Sequence, residues 1–243
     1  MEIYERGNLS TRQPQTQAQK LASPDSSSST IYLQTPTYNE LRLQNAFVSS
    51  ANNDAADDAC SMKSALGGSQ VFPQLLDTFS PQGALYVHYY QITVGGAQQL
   101  APNRVASKPS LSMAFLRGPQ SIPGKQMLSK SYVVICIDFQ PKTKVAKPIW
   151  LQSGMKVNPN NGAMSSTLAP IIPYQAPNPQ PGTGTHQYVF LVFEENSAGL
   201  WATIRSKPQA RASIFDLFNL KAFRAQTGLN NLVAGSFFKS THP

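Results

Sequence analysis

Residues 131–137 read SYVVICI, and residues 187–194 read QYVFLVFE. Each is an apolar run of strand length, rich in β-branched and aromatic residues. Unbroken runs of this kind belong to strands covered on both faces, because an exposed face would alternate with polar residues. Around these two central strands the sequence supplies further strands. Residues 84–93 (ALYVHYYQIT) are aromatic and β-branched, residues 110–115 (SLSMAF) alternate after Pro109, and residues 148–152 and 232–238 (LVAGSFF) are short strand-like stretches. One helix is expected near the C-terminus: Asn219 can cap it, Leu220 and Phe223 form its apolar stripe, and Gly228 suits the left-handed position that ends it. Residues 157–185 are rich in Pro, Gly and Asn and read as a long loop, a class that often carries function. Many strands, few helices and no internal repeat predict an all-β-dominated fold, an antiparallel sandwich.

Composition agrees. The chain has 243 residues, of which 41% are hydrophobic and only 13% charged, with 19 prolines and 15 glycines, a balance of loops and sheet over surface helix. Residues 1–69 are rich in Ser, Gln, Asn, Thr and Ala, too polar to offset their ordering entropy, and read as a flexible extension in front of a domain at 70–243. Within the extension, residues 31–33 and 41–48 are short apolar patches able to dock or form a transient helix. Residues 1–65 carry five cations against seven carboxylates, a net −2, so the remainder carries +10 of the chain's total of +8. A carboxylate-poor basic domain attracts anions. Its cations are scattered singly, without the aromatic-interleaved signature of a nucleic-acid module, so nucleic acid is the lesser expectation.

Two cysteines give no disulfide framework, and Cys136 reads as a small buried hydrophobe. Residues 1–20 lack an apolar leader core and no stretch is long enough to span a bilayer, so a cytoplasmic location is expected. Nucleophile elbow, phosphate loop and dinucleotide fingerprint are all missing. The three histidines are far apart, which argues against a metal site, and no cofactor is indicated.

Several segments, taken in order, resemble one family. Residues 132–140 (YVVICIDFQ) are similar to an apolar strand running into an Asp-Pro-Asp-x-Pro turn. Residues 181–194 (PGTGTHQYVFLVFE) resemble a Gly-x-His-Arg-Tyr strand, and residues 232–238 a Pro-Val-Ala-Gly-Asn-Tyr-Phe ending. Upstream, residues 71–80 with Leu100, Pro102, Val105 and Pro109 fit an opening hairpin. This is the pattern of the phosphatidylethanolamine-binding proteins, and Trp150-Leu151-Gln152 with the ending resembles the fungal branch. The resemblance implies a Greek-key β-sandwich and a shallow pocket for a phosphate or other small anion. It places Asp138, His186 and Tyr188 on the pocket floor, Pro179 in its rim, and Tyr174 and Gly184 in the framework beside it.

The departures reshape that pocket. Gln140 replaces the turn's second Asp, Phe139 its Pro, Ile149 the His before Trp150, and Gln187 the Arg; Phe237 and Phe238 bring no phenol. The result is a more apolar pocket lined by Ile149, Trp150 and Phe238, with one His–Asp pair left. Lys142, Lys144 and Lys147 leave the same turn as Asp138 and would form a cationic rim. Each residue also has a plainer role: Asp138 bonding turn amides, His186 and Tyr188 as a satisfied core pair, the lysines as a solvated face, and His88 as a packed histidine. Glu194 and Glu195 are adjacent on a strand, point to opposite faces, and make no acid–base pair.

Two functions follow from the resemblance. The first is a non-catalytic module that binds a phospholipid head group or regulates kinases or proteases. The second is an accessory role in fungal specialised metabolism of the maleidride type. There a carboxylate-bearing polyketide would be the ligand, other biosynthetic enzymes the partners, and His186 a proton acceptor. The sequence leaves open whether the chain catalyses anything.

Overall fold

The computed structural model describes residues 54–116, 124–196, 201, 202, 204, 206 and 218–242. Among the described residues nine strands form one sheet: β1 (Gly83–Tyr89), β2 (Ile92–Thr93), β3 (Gln98–Gln99), β4 (Ser110–Phe115), β5 (Tyr132–Gln140), β6 (Val145–Val157), β7 (Ala163–Ser165), β8 (His186–Glu194) and β9 (Leu232–Ser240). Their spatial order is β2-β1-β4-β7-β6-β5-β8-β9-β3.

The two sequences that decided the fold lie at its centre. β5 and β8 pair antiparallel from Tyr132↔Glu194 to Phe139↔Gln187. Their alternate residues feed two separate cores. Val134, Cys136, Tyr188, Phe190 and Val192 face inward against β1 and β4, while Val133, Ile135, Val189, Leu191 and Phe193 face the helices. The 13-residue β6 joins the halves by pairing with β5 along its length and with β7 at its end. Gly154 sits at the irregularity in that pairing, between Gln152 and Met155. Its φ is +67°, and a Cβ there would stand 2.6 Å from Leu168 Cδ1. The sheet thus curls over itself, and Gln82 N–H closes the seam on Val233 O at 2.7 Å.

The expected helix is present as Leu220–Thr227. The Asn219 side chain accepts from Ala222 N–H at 3.0 Å, and Gly228 ends the helix at φ +69°. Leu220 and Phe223 are buried against the outer face of the central strands, each contributing about 1.5–3 kcal/mol of transfer free energy. Arg224 ties off the end, donating to Leu229 O and Asn230 O.

Four findings differ from the sequence expectations. Residues 54–67, assigned to the flexible extension, are helical, with Ala55 and Ala59 buried against Ala84 and Leu66 in the outer core. Tyr86 O–H donates to Asp58 at 2.8 Å across this contact. Residues 1–53, including the apolar patches at 31–33 and 41–48, lie outside the described residues. The long loop at 157–185 contains β7, and Ile172 bridges to Leu151. The sheet is not wholly antiparallel, since β3 joins β9 in parallel register. Finally, residues 84–93 break into a hairpin whose tip is Tyr90-Gln91, with Tyr89 facing Ile92.

Tyr90 sits at φ +47° and is 97% exposed. A bulky residue in this left-handed region is disfavoured by about 1–2 kcal/mol. Tyr90→Asn should therefore raise unfolding stability by about 1 kcal/mol. The check is a urea midpoint that moves up with an unchanged slope; an equal or lower midpoint would show the turn to be unstrained.

Candidate functional site

Strand alternation and pairing bring the predicted residues together. Asp138 follows Cys136 on the inward face of β5, directly opposite Tyr188 of β8. Two residues earlier on β8, His186 lies diagonally across from Asp138 and opposite Ser240 of β9, while Phe238 faces Tyr188. His186 Nδ1 stands 2.7 Å from Asp138 Oδ1, and Nε2 stands 2.8 Å from Thr183 Oγ1. Thr183 already donates its hydroxyl proton to Gln180 O at 2.6 Å. It must therefore accept from His186, so Nε2 carries a proton. The Nδ1–Oδ1 bond holds a second proton, shared between ring and carboxyl. Counted together, the pair is electrically neutral.

Burial of this pair is uneven. His186 is 2% exposed, whereas the Asp138 side chain keeps 15% of its surface. Burial pushes the Asp138 carboxyl above the ordinary carboxylate range, opposed by His186, by Tyr188 and by Lys147. Tyr188 is fully buried, and its hydroxyl makes no hydrogen bond of acceptable geometry. Burial first, and the nearby Asp138 charge second, hold that phenol far above its usual range. Asp138 is thus close enough to be felt without being a well-formed acceptor. Ser240 Oγ and Trp150 Nε1 are likewise buried without a partner.

The remaining predicted residues lie in the inner core, in the segment before β8 and along the turn after β5. Tyr188 stacks on Phe238 with ring centres 5.1 Å apart, and His186 stacks on Tyr188 at 6.3 Å. Ile149 and Trp150 share the inner core, and Trp150 packs edge-on against Tyr174 at 6.1 Å. The Tyr174 hydroxyl donates to Val105 O and accepts from Tyr89. Pro179 is buried in the segment before β8. Gly184, at φ +81°, lies beneath Lys142, whose Nζ would be 3.3 Å from a Cβ placed there. Lys147 pairs in register with Asp138. Lys144, at the tip of the turn with φ +59°, is exposed like the other two. The Asp138–His186 pair is therefore neutral, and the positive charge near it comes from the exposed turn lysines.

Other residues take structural parts. His88 bonds Thr93 and Ser112 and stacks on Tyr86. Glu194 pairs with Lys130 at 2.8 Å, and Glu195 accepts from Gly154 N–H at 2.9 Å, so the two carboxylates serve separate contacts. Cys136 is buried, and burial pushes its thiol up. Among the described residues no cluster of three metal-ligating side chains occurs, and no helix is long and apolar enough to cross a membrane.

One feature escaped sequence reading. A cavity of about 280 Å³ lies between the β1–β2 hairpin and residues 103–108, lined by Tyr89, Tyr90, Gln91, Ile92, Asn103, Arg104, Ser107 and Lys108. It adjoins the predicted residues through Tyr89, whose ring meets Phe238 edge-on at 5.9 Å and whose hydroxyl bonds Tyr174, and through Lys108, which lies over Trp150.

Comparison with known proteins agrees with this architecture. Residues 77–238 match the family model described as phosphatidylethanolamine-binding protein. No curated protein matches the chain at a significant level. Among solved structures, the crystal structure of carboxypeptidase Y inhibitor complexed with its cognate proteinase is similar at a TM-score of 0.62 and 20% identity. That likeness covers 79% of this chain and 100% of the other. The phosphatidylethanolamine-binding protein from Plasmodium vivax is similar at a TM-score of 0.56 and 16% identity, covering 75% and 98%. The Plasmodium falciparum protein of the same name gives 0.53 and 15%, covering 73% and 95%. At such identities these likenesses establish the fold, while the family match spans well over half of the sequence: the chain belongs to the phosphatidylethanolamine-binding protein family.

Proposed function

We propose that this chain is a binding module that holds a small carboxylate or phosphate anion at the Asp138–His186 pair. The observation that carries the reading is the pairing itself. A His–Asp unit, neutral overall, lies beside the buried and unpartnered hydroxyl of Tyr188 and under the exposed amines of Lys142 and Lys147. Neutrality of the pair removes the repulsion a free carboxylate would exert on an anion. The two lysines supply attraction from the solvent side, and Tyr188 supplies a donor whose desolvation cost is already met in the folded state.

The finer reading concerns ligand class. Phe238, stacked on Tyr188, gives the site an apolar side, which favours a carboxylate on a hydrocarbon body over a bare phosphate ester. That chemistry fits the fungal-branch, specialised-metabolite role implied by the sequence resemblance, with a carboxylated or anhydride-bearing polyketide as ligand.

Calorimetric titration with maleate, phosphoethanolamine and inorganic phosphate tests both levels. Maleate should bind, and His186→Asn should weaken it about tenfold, the value of one charge-assisted hydrogen bond. Lys142→Ala/Lys147→Ala should weaken it about threefold and flatten its dependence on salt. Affinity should rise as pH falls through the elevated Asp138 titration, because a further proton turns the neutral pair into a cation that attracts the anion. Equal binding of all three ligands by wild type and His186→Asn would remove the site. Tighter binding of phosphoethanolamine than maleate would remove the carboxylate preference alone.

A further inference from the structure

We propose that the cavity between the β1–β2 hairpin and residues 103–108 is a second binding site, which takes a small aromatic oxyanion, an aryl carboxylate or aryl phosphate. Its volume of about 280 Å³ stands at the lower end of small-molecule pockets and suits one ring with one charged group. Arg104 and Lys108 both line it, and no carboxylate does. Among the described residues neither cation takes part in an ion pair. Their backbone is held in place: Arg104 N–H bonds Ala101 O, Val105 O receives the Tyr174 hydroxyl, and Pro109 is buried. Lys108 Nζ lies over the Trp150 ring at 5.9 Å, a contact that restrains the amine without neutralising it. A planar guanidinium and an ammonium lining the same cavity are suited to capture of a carboxylate or phosphate, the guanidinium bidentately.

Tyr90 supplies the second observation. Large exposed aromatics are uncommon, and this one is 97% exposed at the cavity lining while its backbone occupies a disfavoured left-handed conformation. Strain of this kind collects where a side chain is used. With Ile92 and the buried Tyr89, it offers a face against which a ligand ring can stack. Asn103 and Ser107 add neutral hydrogen-bonding groups beside the cations.

Amide chemical-shift mapping tests the proposal on the whole chain, with phenyl phosphate, benzoate, inorganic phosphate and benzyl alcohol as probes. Phenyl phosphate or benzoate should produce saturable shifts in residues 89–92 and 103–108, and whichever binds more tightly identifies the oxyanion. Arg104→Ala/Lys108→Ala should weaken that probe at least about tenfold. Both side chains are exposed, so the variant should keep the wild-type thermal midpoint. Tyr90→Ala should weaken phenyl phosphate several-fold and leave inorganic phosphate unchanged. Persistence of the shifts in His186→Asn would separate this cavity from the Asp138 pair. The proposal is overturned if neither aromatic anion moves those amides, if the double variant binds as wild type does, or if benzyl alcohol binds as well as the anions.

Discussion

Tyr188→Phe should leave the protein as stable as wild type, or more stable by up to about 1 kcal/mol, while weakening maleate binding several-fold. Most buried hydroxyls behave differently, because removing them also removes a hydrogen bond. Here the hydroxyl is fully buried and has no partner of good geometry, so its removal relieves a desolvation cost. The ring is another matter. It stacks on both Phe238 and His186 in the inner core, and Tyr188→Ala should cost about 3–5 kcal/mol. Urea unfolding of the two variants, set beside their maleate titrations, separates the ring's structural part from the hydroxyl's binding part. A phenylalanine variant that loses stability yet binds normally would assign the hydroxyl to the fold and not to the site.

His186→Leu should cost about 3 kcal/mol at neutral pH, the lower end for breaking a buried ion pair, because Asp138 retains some solvent. The pH dependence carries the sharper information. Burial raises the folded-state carboxyl of Asp138 above its ordinary value. A raised acid favours the folded state at pH below its unfolded value, and that advantage is lost as pH climbs through the folded value. Removing His186 deletes the foremost influence that holds this carboxyl down. The deficit of His186→Leu should therefore be greatest at neutral pH and shrink towards pH 4. By the same sign, Asp138→Asn should gain stability relative to wild type as pH rises through that window. Chemical denaturation at several pH values checks both; a deficit that does not vary with pH would mean that the imidazole contributes only packing.

Much of the fold could be read from residues because its central strands are chemically unambiguous. β5 and β8 are apolar on both faces, and the structure buries both. The C-terminal helix was equally legible, since Asn219 and Gly228 act through local backbone chemistry. The helix at 54–67 was not. Its stripe runs through Ala55, Ala59, Met62 and Leu66, and the small residues among them bury little area amid serines and aspartates. The hairpin tip was hidden for a different reason. Tyr90 and Gln91 are not turn formers, and the reversal is imposed by the flanking pairs His88↔Thr93 and Tyr89↔Ile92.

Asp138, His186 and Tyr188 were named through motif order. Their contact, however, depends on the β5–β8 register, which neither segment contains by itself. Thr183, which fixes a proton on His186, was missed, because its role appears only once the turn before β8 is formed. The cavity beside Tyr90 brings together residues from two stretches more than ten positions apart, and nothing in either stretch marks it.

The central claim is that the Asp138–His186 pair contacts a bound anion. Long-range proton–nitrogen correlation of the His186 ring reports on both nitrogens at once during a maleate titration. Those signals should move saturably, with the midpoint found by calorimetry, and the movement should be lost in Asp138→Asn. Ring signals that stay fixed while maleate saturates the protein would contradict it.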